Sequence, residues 1–239
     1  MFAGLARPLP AVRRLDATKR RVRLADSKKI PDESVYRLSL YHCHLGERIR
    51  LGTLSPLRIT SRELAQELDV REETVRRDLS FIGSIGRPGA GYDPREMFDA
   101  LQRTLGLRDE YPIVKVGSAQ MLAALRVFFP PLSYGLTPVA YFSEHEDDVG
   151  ALVNDIEVQH VTEIPDIDRS LGVSVALVAC SQPEISRVLK LLFSADVTGV
   201  LLLTPMVKFE KPEGMTITHV RMPCDIKSLA CRCSVLANR

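Results

Sequence analysis

Six short apolar runs follow one another between Pro112 and Met222: PIVKVG, TPVAYFS, IEVQHV, VSVALVAC, TGVLLLT and MTITHVRM. Each is strand-sized, and helical stretches lie between several of them, clearest in EISRVLKLLFSA. Near-continuous apolar strands alternating with helices predict a parallel sheet covered on both faces, because a solvated face would alternate polar with apolar residues. Residues 31–105 follow a different rule, with apolar side chains recurring every three or four positions. The chain therefore divides near Gly106–Pro112, into an all-helical front and an α/β back.

In the front half, Pro31 suits a first helical turn, and Val35, Leu38, Tyr41 and Leu45 mark the inner face of ESVYRLSLYHCHLGERI. TSRELAQEL follows, where Thr60 and Glu63 form a capping box and Leu64 and Leu68 share a face. A third helix, EETVRRDLSFI, turns Val75, Leu79 and Ile82 inward, and a fourth, PREMFDALQRTLGL, closes the half. Between them GSIGRPGAGYD, with four glycines and a proline, predicts a turn-rich loop or hairpin. Two short helices joined by a tight turn, after a longer helix and before such a hairpin, make a winged helix-turn-helix arrangement. Thr74 lies at the start of the third helix, and Arg76, Arg77 and Ser80 point away from its core face. Arginine grips phosphate or a guanine edge bidentately, and a hydroxyl serves base or backbone. Arg87, at the hairpin tip, is placed for a minor groove. The plainer alternative is a solvated helix face on which Asp78 offsets one arginine.

Charge sharpens this division. Residues 1–29 carry nine Lys/Arg against Asp16 and Asp26, a net +7, so the rest of the chain sums to −5. Such an arm reads as a solvated tail or as a phosphate-touching extension that adds affinity rather than specificity. Residues 30–100 net −2, so DNA binding would need local clustering of charge. No window approaches a membrane span, no secretory h-region is visible, and five irregularly spaced cysteines are not a disulfide framework. The expectation is a soluble, reduced, cytoplasmic protein without a membrane partner.

TVRRDLSFIGSIGRPGAGYD, with IPDESVYRLSLYHCHL upstream and GVLLLTP and KPEG downstream, resembles the Rex redox-sensing transcriptional repressors over roughly residues 29–236. The resemblance implies an α/β fold in which an N-terminal winged helix-turn-helix domain precedes a Rossmann-like parallel-sheet domain. The expected divisions are a basic arm at 1–29, the winged-helix domain at 30–106, a ligand and dimerisation domain at 107–224, and a final helix at 225–239 that crosses to the partner subunit. It further implies a homodimer on a palindromic double-stranded operator, governed by the NADH/NAD⁺ ratio. By position, Arg76, Arg77, Asp78 and Ser80 form the recognition-helix surface, with Thr74 at its start, and Gly86, Arg87, Gly89, Gly91 and Tyr92 the wing. Pro88 stands where the family carries a second wing-tip cation.

The resemblance implies NAD(H) as cofactor, held by the loop Gly117, Ser118, Ala119, Gln120, Met121 and Leu122, by Ser143 at the end of the second strand, and by Thr204 and Pro205. Several of these depart from the pattern. Gly117 keeps the turn, but Ala119 places a methyl where the diphosphate approaches, and Leu122 stands where the helix should touch the sheet. Ser143 replaces the acid that takes the ribose hydroxyls, and Glu144, one residue on, faces the other side of the strand. Leu202 and Arg221 replace an asparagine and an acid. These changes predict a site with its frame kept and its contacts weakened. Alternatives are another anionic or coenzyme-A-like ligand, or a regulator that has lost sensing. A Rossmann oxidoreductase would need an acid/base constellation that the sequence does not assemble.

His42, Cys43 and His44 are adjacent on a helix and cannot share one metal ion. Cys224, Cys231 and Cys233 read as buried small hydrophobes, with a thiol sensor as the alternative, and His160 and His219 as core or rim positions on strands.

Overall fold

The structure, a computed structural model, describes residues 30–53, 58–86, 91–107, 111–128, 135–204 and 208–237. The basic arm, Arg87, Pro88, Gly89 and Pro205 lie outside the described residues. The described chain forms two compact units, one reaching to Tyr111 and the other beginning at Pro112.

The first unit is built on α1 (Asp32–Arg50), α2 (Ser61–Glu67), α3 (Glu72–Leu79) and α4 (Pro94–Leu105). Thr60 caps α2 through the capping box: its hydroxyl accepts from Glu63 N–H and its own N–H donates to the Glu63 carboxylate. Asp93 caps α4 by accepting from Arg95 and Glu96 N–H. Leu38, Tyr41, Leu45, Leu64, Val75, Leu79, Met97 and Leu101 make one core. The buried face of α1 is Ser34, Leu38, Tyr41 and Leu45, while Val35 is exposed. The expected stripe is thus displaced by one residue at its start, and the Ser34 hydroxyl accepts from Arg37. After a 3₁₀ turn at Ser80–Ile82 the chain returns to pair Tyr92 with Ile59 in an antiparallel bridge. Gly91 (φ +72°) is needed at that bridge, since a Cβ there would lie 3.0 Å from the Ile59 carbonyl oxygen.

The second unit is a seven-stranded sheet in the order β3-β4-β2-β1-β5-β6-β7. Its strands are β1 (Tyr111–Gly117), β2 (Leu136–Ser143), β3 (Leu152–Val153), β4 (Ile156–His160), β5 (Val175–Ala179), β6 (Gly199–Leu202) and β7 (Thr216–His219). The six apolar runs each supply one strand. The sheet is not wholly parallel: β3 pairs antiparallel with β4 at the edge. It is a two-residue strand, too short for an alternation signal. Helices α5 (Ala119–Phe128) and α6 (Ile185–Ser194) follow β1 and precede β6, whereas β4 leads to β5 through 3₁₀ turns alone. The main core gathers β1, β5 and β6 with Ile185, Val188, Leu189 and Leu192 of α6. The last helix, α7 (Met222–Ala237), has Met222, Ile226 and Leu229 exposed.

Candidate functional site

Two surfaces carry chemistry, one in each unit. On α3, Val75 and Leu79 are buried, and Arg76, Arg77 and Ser80 are exposed. The Arg77 guanidinium has no hydrogen bond or ion pair among the described residues. Arg76 is tied to Glu72 and to the Ser61 hydroxyl, and Glu72 also lies 3.6 Å from Arg62. Burial pushes the Glu72 carboxyl up, but the two guanidiniums and the Ser61 hydroxyl outweigh it and hold it below the usual carboxylate range. A cleft of about 730 Å³ runs beside these groups, from the capped start of α2 and the face of α3 to Ile85, Gly86, Gly91 and Tyr92. Thr74 and the Tyr92 ring are half-buried, the ring against the core.

Asp78 departs from the expected surface. It is 0% exposed, lying three positions after Val75 on the inner side of α3. Arg37 of α1 donates to both of its oxygens, at 2.6 and 2.9 Å, and the Tyr41 hydroxyl donates at 3.0 Å. Burial raises the carboxyl, and the donors from Arg37, Ser34 and Tyr41 more than reverse that, leaving it below its ordinary value. The Arg37 guanidinium is held charged by the same pair, and burial first, then the Asp78 bond, raises the Tyr41 phenol. Asp78 therefore fastens α3 to α1, and its charge is set against Arg37 rather than against Arg76 or Arg77. Its removal from the outer face leaves Arg76, Arg77 and Ser80 without an acid between them.

The second surface is the carboxyl edge of the sheet, where Gly117, Ser143, Ala179 and Leu202 end their strands. The strand order reverses direction between β1 and β5, the place where open α/β sheets form a ligand crevice. Gly117 has an ordinary φ, and its missing side chain serves close approach: a Cβ would lie 3.2 Å from the Ala179 carbonyl oxygen. Leu122 is wholly buried, in a small cluster with Tyr141, Val153 and Val158, and Ala119 packs on the same cluster. The leucine thus has its own pocket between α5 and the β2–β4 side of the sheet. The Ser118 hydroxyl accepts from Met121 N–H, while Gln120 N–H, in the first turn of α5, has no partner among the described residues.

Ser143 is buried. Its hydroxyl oxygen accepts from His145 N–H (3.1 Å) and donates to Asp148 Oδ2 (2.7 Å), which also accepts from Ala119 N–H (3.0 Å). Glu144 turns to the far side, as its position along the strand predicts. Its Oε1 accepts from Ser181 N–H at 2.8 Å, and its buried Oε2 lacks a partner. Burial, then the nearby Glu144 charge, pushes the Cys180 thiol up to about 12, so this cysteine is inert. Thr204 is buried with its hydroxyl unpartnered, and its carbonyl accepts from His219 Nε2–H at 2.6 Å.

The remaining candidates separate. His42 stacks on Phe98, His44 pairs with Glu67 and Cys43 is exposed. Cys224, Cys231 and Cys233 are exposed rather than buried. No helix among the described residues is long and apolar enough to cross a membrane.

Comparisons with known proteins agree with this architecture. A family described as "Putative DNA-binding protein N-terminus" matches residues 29–80. The redox-sensing transcriptional repressor Rex of Streptomyces coelicolor is 33% identical over 204 residues, covering 85% of this chain and 78% of its own. That of Listeria monocytogenes is 27% identical over 206 residues, covering 86% and 94%. The crystal structure of RSP, a Rex-family repressor, superposes with a TM-score of 0.72 at 20% identity over 87% of this chain and 95% of that one. Its complex with β-NAD⁺ and operator DNA superposes at 0.73, with 22% identity over 88% and 95%. These structures share the fold. By its sequence and its architecture together, the chain belongs to the Rex family of redox-sensing transcriptional repressors.

Proposed function

We propose that this protein is a homodimeric repressor that binds a palindromic operator and is modulated by the NADH/NAD⁺ ratio. The observation that carries the DNA-binding half is the burial of Asp78. With that acid locked onto Arg37 and Tyr41, the exposed side of α3 and the turn after it carry Arg76, Arg77 and Ser80, with Arg76 paired to Glu72 and the Ser80 hydroxyl donating to the Arg77 carbonyl. Arg77 stands free to read a base or phosphate, and Arg76 reaches DNA by leaving Glu72. Thr74, Tyr92 and the wing residues Arg87 and Gly89 complete the interface by resemblance. The apolar stripe Met222, Ile226 and Leu229 on α7 supports a second copy as its partner. A function on the chromosome puts the protein in the cytoplasm.

For the ligand, three features of the crevice suit a dinucleotide. Gly117 permits close strand approach, Gln120 N–H at the start of α5 suits a diphosphate oxygen, and Thr204 Oγ1 is a buried hydroxyl without a partner among the described residues. Binding there would shift the dimer between DNA-competent and incompetent arrangements. Selection of duplexes from a random pool by the full-length protein tests the reading. A recovered palindrome bound by wild type, and bound more weakly by Arg77→Ala, is expected. Recovery of no preferred sequence at low salt would overturn it.

A further inference from the structure

At the end of the second strand, where Ser143 stands in place of an acid, a carboxylate is brought in from further along the chain. Asp148 closes a 3₁₀ turn, Glu146–Asp148, five residues beyond Ser143, and its Oδ2 bridges Ser143 Oγ and Ala119 N–H. The bridge joins the two elements that flank the ribose in a dinucleotide fold, the second strand's end and the loop before the helix. Because Ser143 Oγ accepts from His145 N–H, its proton is directed at Asp148, and the serine holds the carboxylate at the strand end. Oδ1 has no partner among the described residues, and no lysine, arginine or histidine among them pairs with this carboxylate. Glu144 does not substitute, since strand alternation turns it to the far side, where its Oε1 accepts from Ser181 N–H.

We infer that Asp148 is the ribose-binding carboxylate of this chain, delivered from a downstream turn and held by Ser143, and that it selects a nucleotide with free ribose hydroxyls over one bearing a 2′-phosphate. The inference rests on the NAD(H) reading above. A carboxylate held through one oxygen by neutral donors has no cation set against its charge and leaves its second oxygen for a diol. The same charge repels a 2′-phosphate. The acid has thus been moved along the chain rather than lost.

The test is calorimetric titration of the full-length protein with NADH and with NADPH. Wild type is expected to prefer NADH. Asp148→Ala is expected to weaken NADH about 10–100-fold, the loss of a charged hydrogen-bond acceptor, and to erase most of the preference over NADPH. Adding Ser143→Asp to that variant returns the acid to the strand end and should restore the preference. A role confined to capping α5 would leave the NADH:NADPH ratio unmoved in Asp148→Ala, and that result overturns the inference. Tighter NADH binding by Asp148→Ala also overturns it, since the carboxylate would then compete with the ligand. If Asp148→Ala fails to melt cooperatively, Asp148→Asn keeps an acceptor for both donors and removes the charge. A ratio unchanged in that variant is equally contrary. Absence of NADH binding by wild type sinks the inference too, and operator capture by the same sample then shows whether the DNA-binding reading survives.

Discussion

Asp78 and Asp148 are both aspartates turned back onto their own chain, one in each unit, yet their surroundings differ. Every oxygen of Asp78 is taken, by a bidentate guanidinium and a phenol, and the side chain is wholly buried. Asp148 is half-buried and bound through one oxygen by a hydroxyl and a backbone N–H. Saturated acceptors can do nothing further, so Asp78 is a fastening between α1 and α3. An acceptor with spare capacity at a crevice can receive a ligand. Position in the sequence does not separate these roles; the donor count does.

The comparison can be broken most forcefully at Asp78. Asp78→Ala leaves Arg37 with a desolvated charge and should cost about 3–5 kcal/mol, read by urea denaturation. Asp148→Ala, which loses two neutral donors at a partly solvated site, should cost about 1–2 kcal/mol. Equal costs would erase the distinction. Leu122→Ala tests whether the residue that replaces the family's glycine has become core. It empties a fully buried pocket beside Tyr141 and Val158, and a loss of about 2–5 kcal/mol is expected. A neutral result would mean that α5 closes onto the sheet without it. Arg77→Ala should weaken operator binding by about 1–3 kcal/mol while the melting temperature stays unchanged. The smallest effect is in pH. Because the folded Asp78 carboxyl sits below its unfolded value, its stabilisation is complete above about pH 4 and fades as pH falls further. A stability–pH profile should therefore be flatter in Asp78→Asn than in wild type at the acid end.

Local chemistry made much of this fold legible. The Thr60–Glu63 capping box, the six strands, and the inward Val75, Leu79 and Ile82 all follow from patterns within a few residues. So does the misdirection of Glu144, a consequence of strand alternation alone. What stayed hidden depended on partners far along the chain. Asp78 reads as a solvent residue until Arg37, 41 positions earlier, is seen to meet it. A clue existed, since Arg37 and Tyr41 are four apart on the same helix and converge on one acceptor. Asp148 meets Ala119 across 29 residues because α5 and β2 bring the ends of two strands together. No periodicity reports such a contact. The cysteines of α7 go the other way: an apolar helix predicts burial, yet all three are exposed in this chain.

The most direct test is fluorescence anisotropy of a labelled selected operator, bound by the wild-type protein and titrated with NADH and then with NAD⁺. NADH is expected to release the DNA at concentrations where NAD⁺ does not. Operator binding indifferent to both nucleotides would contradict it.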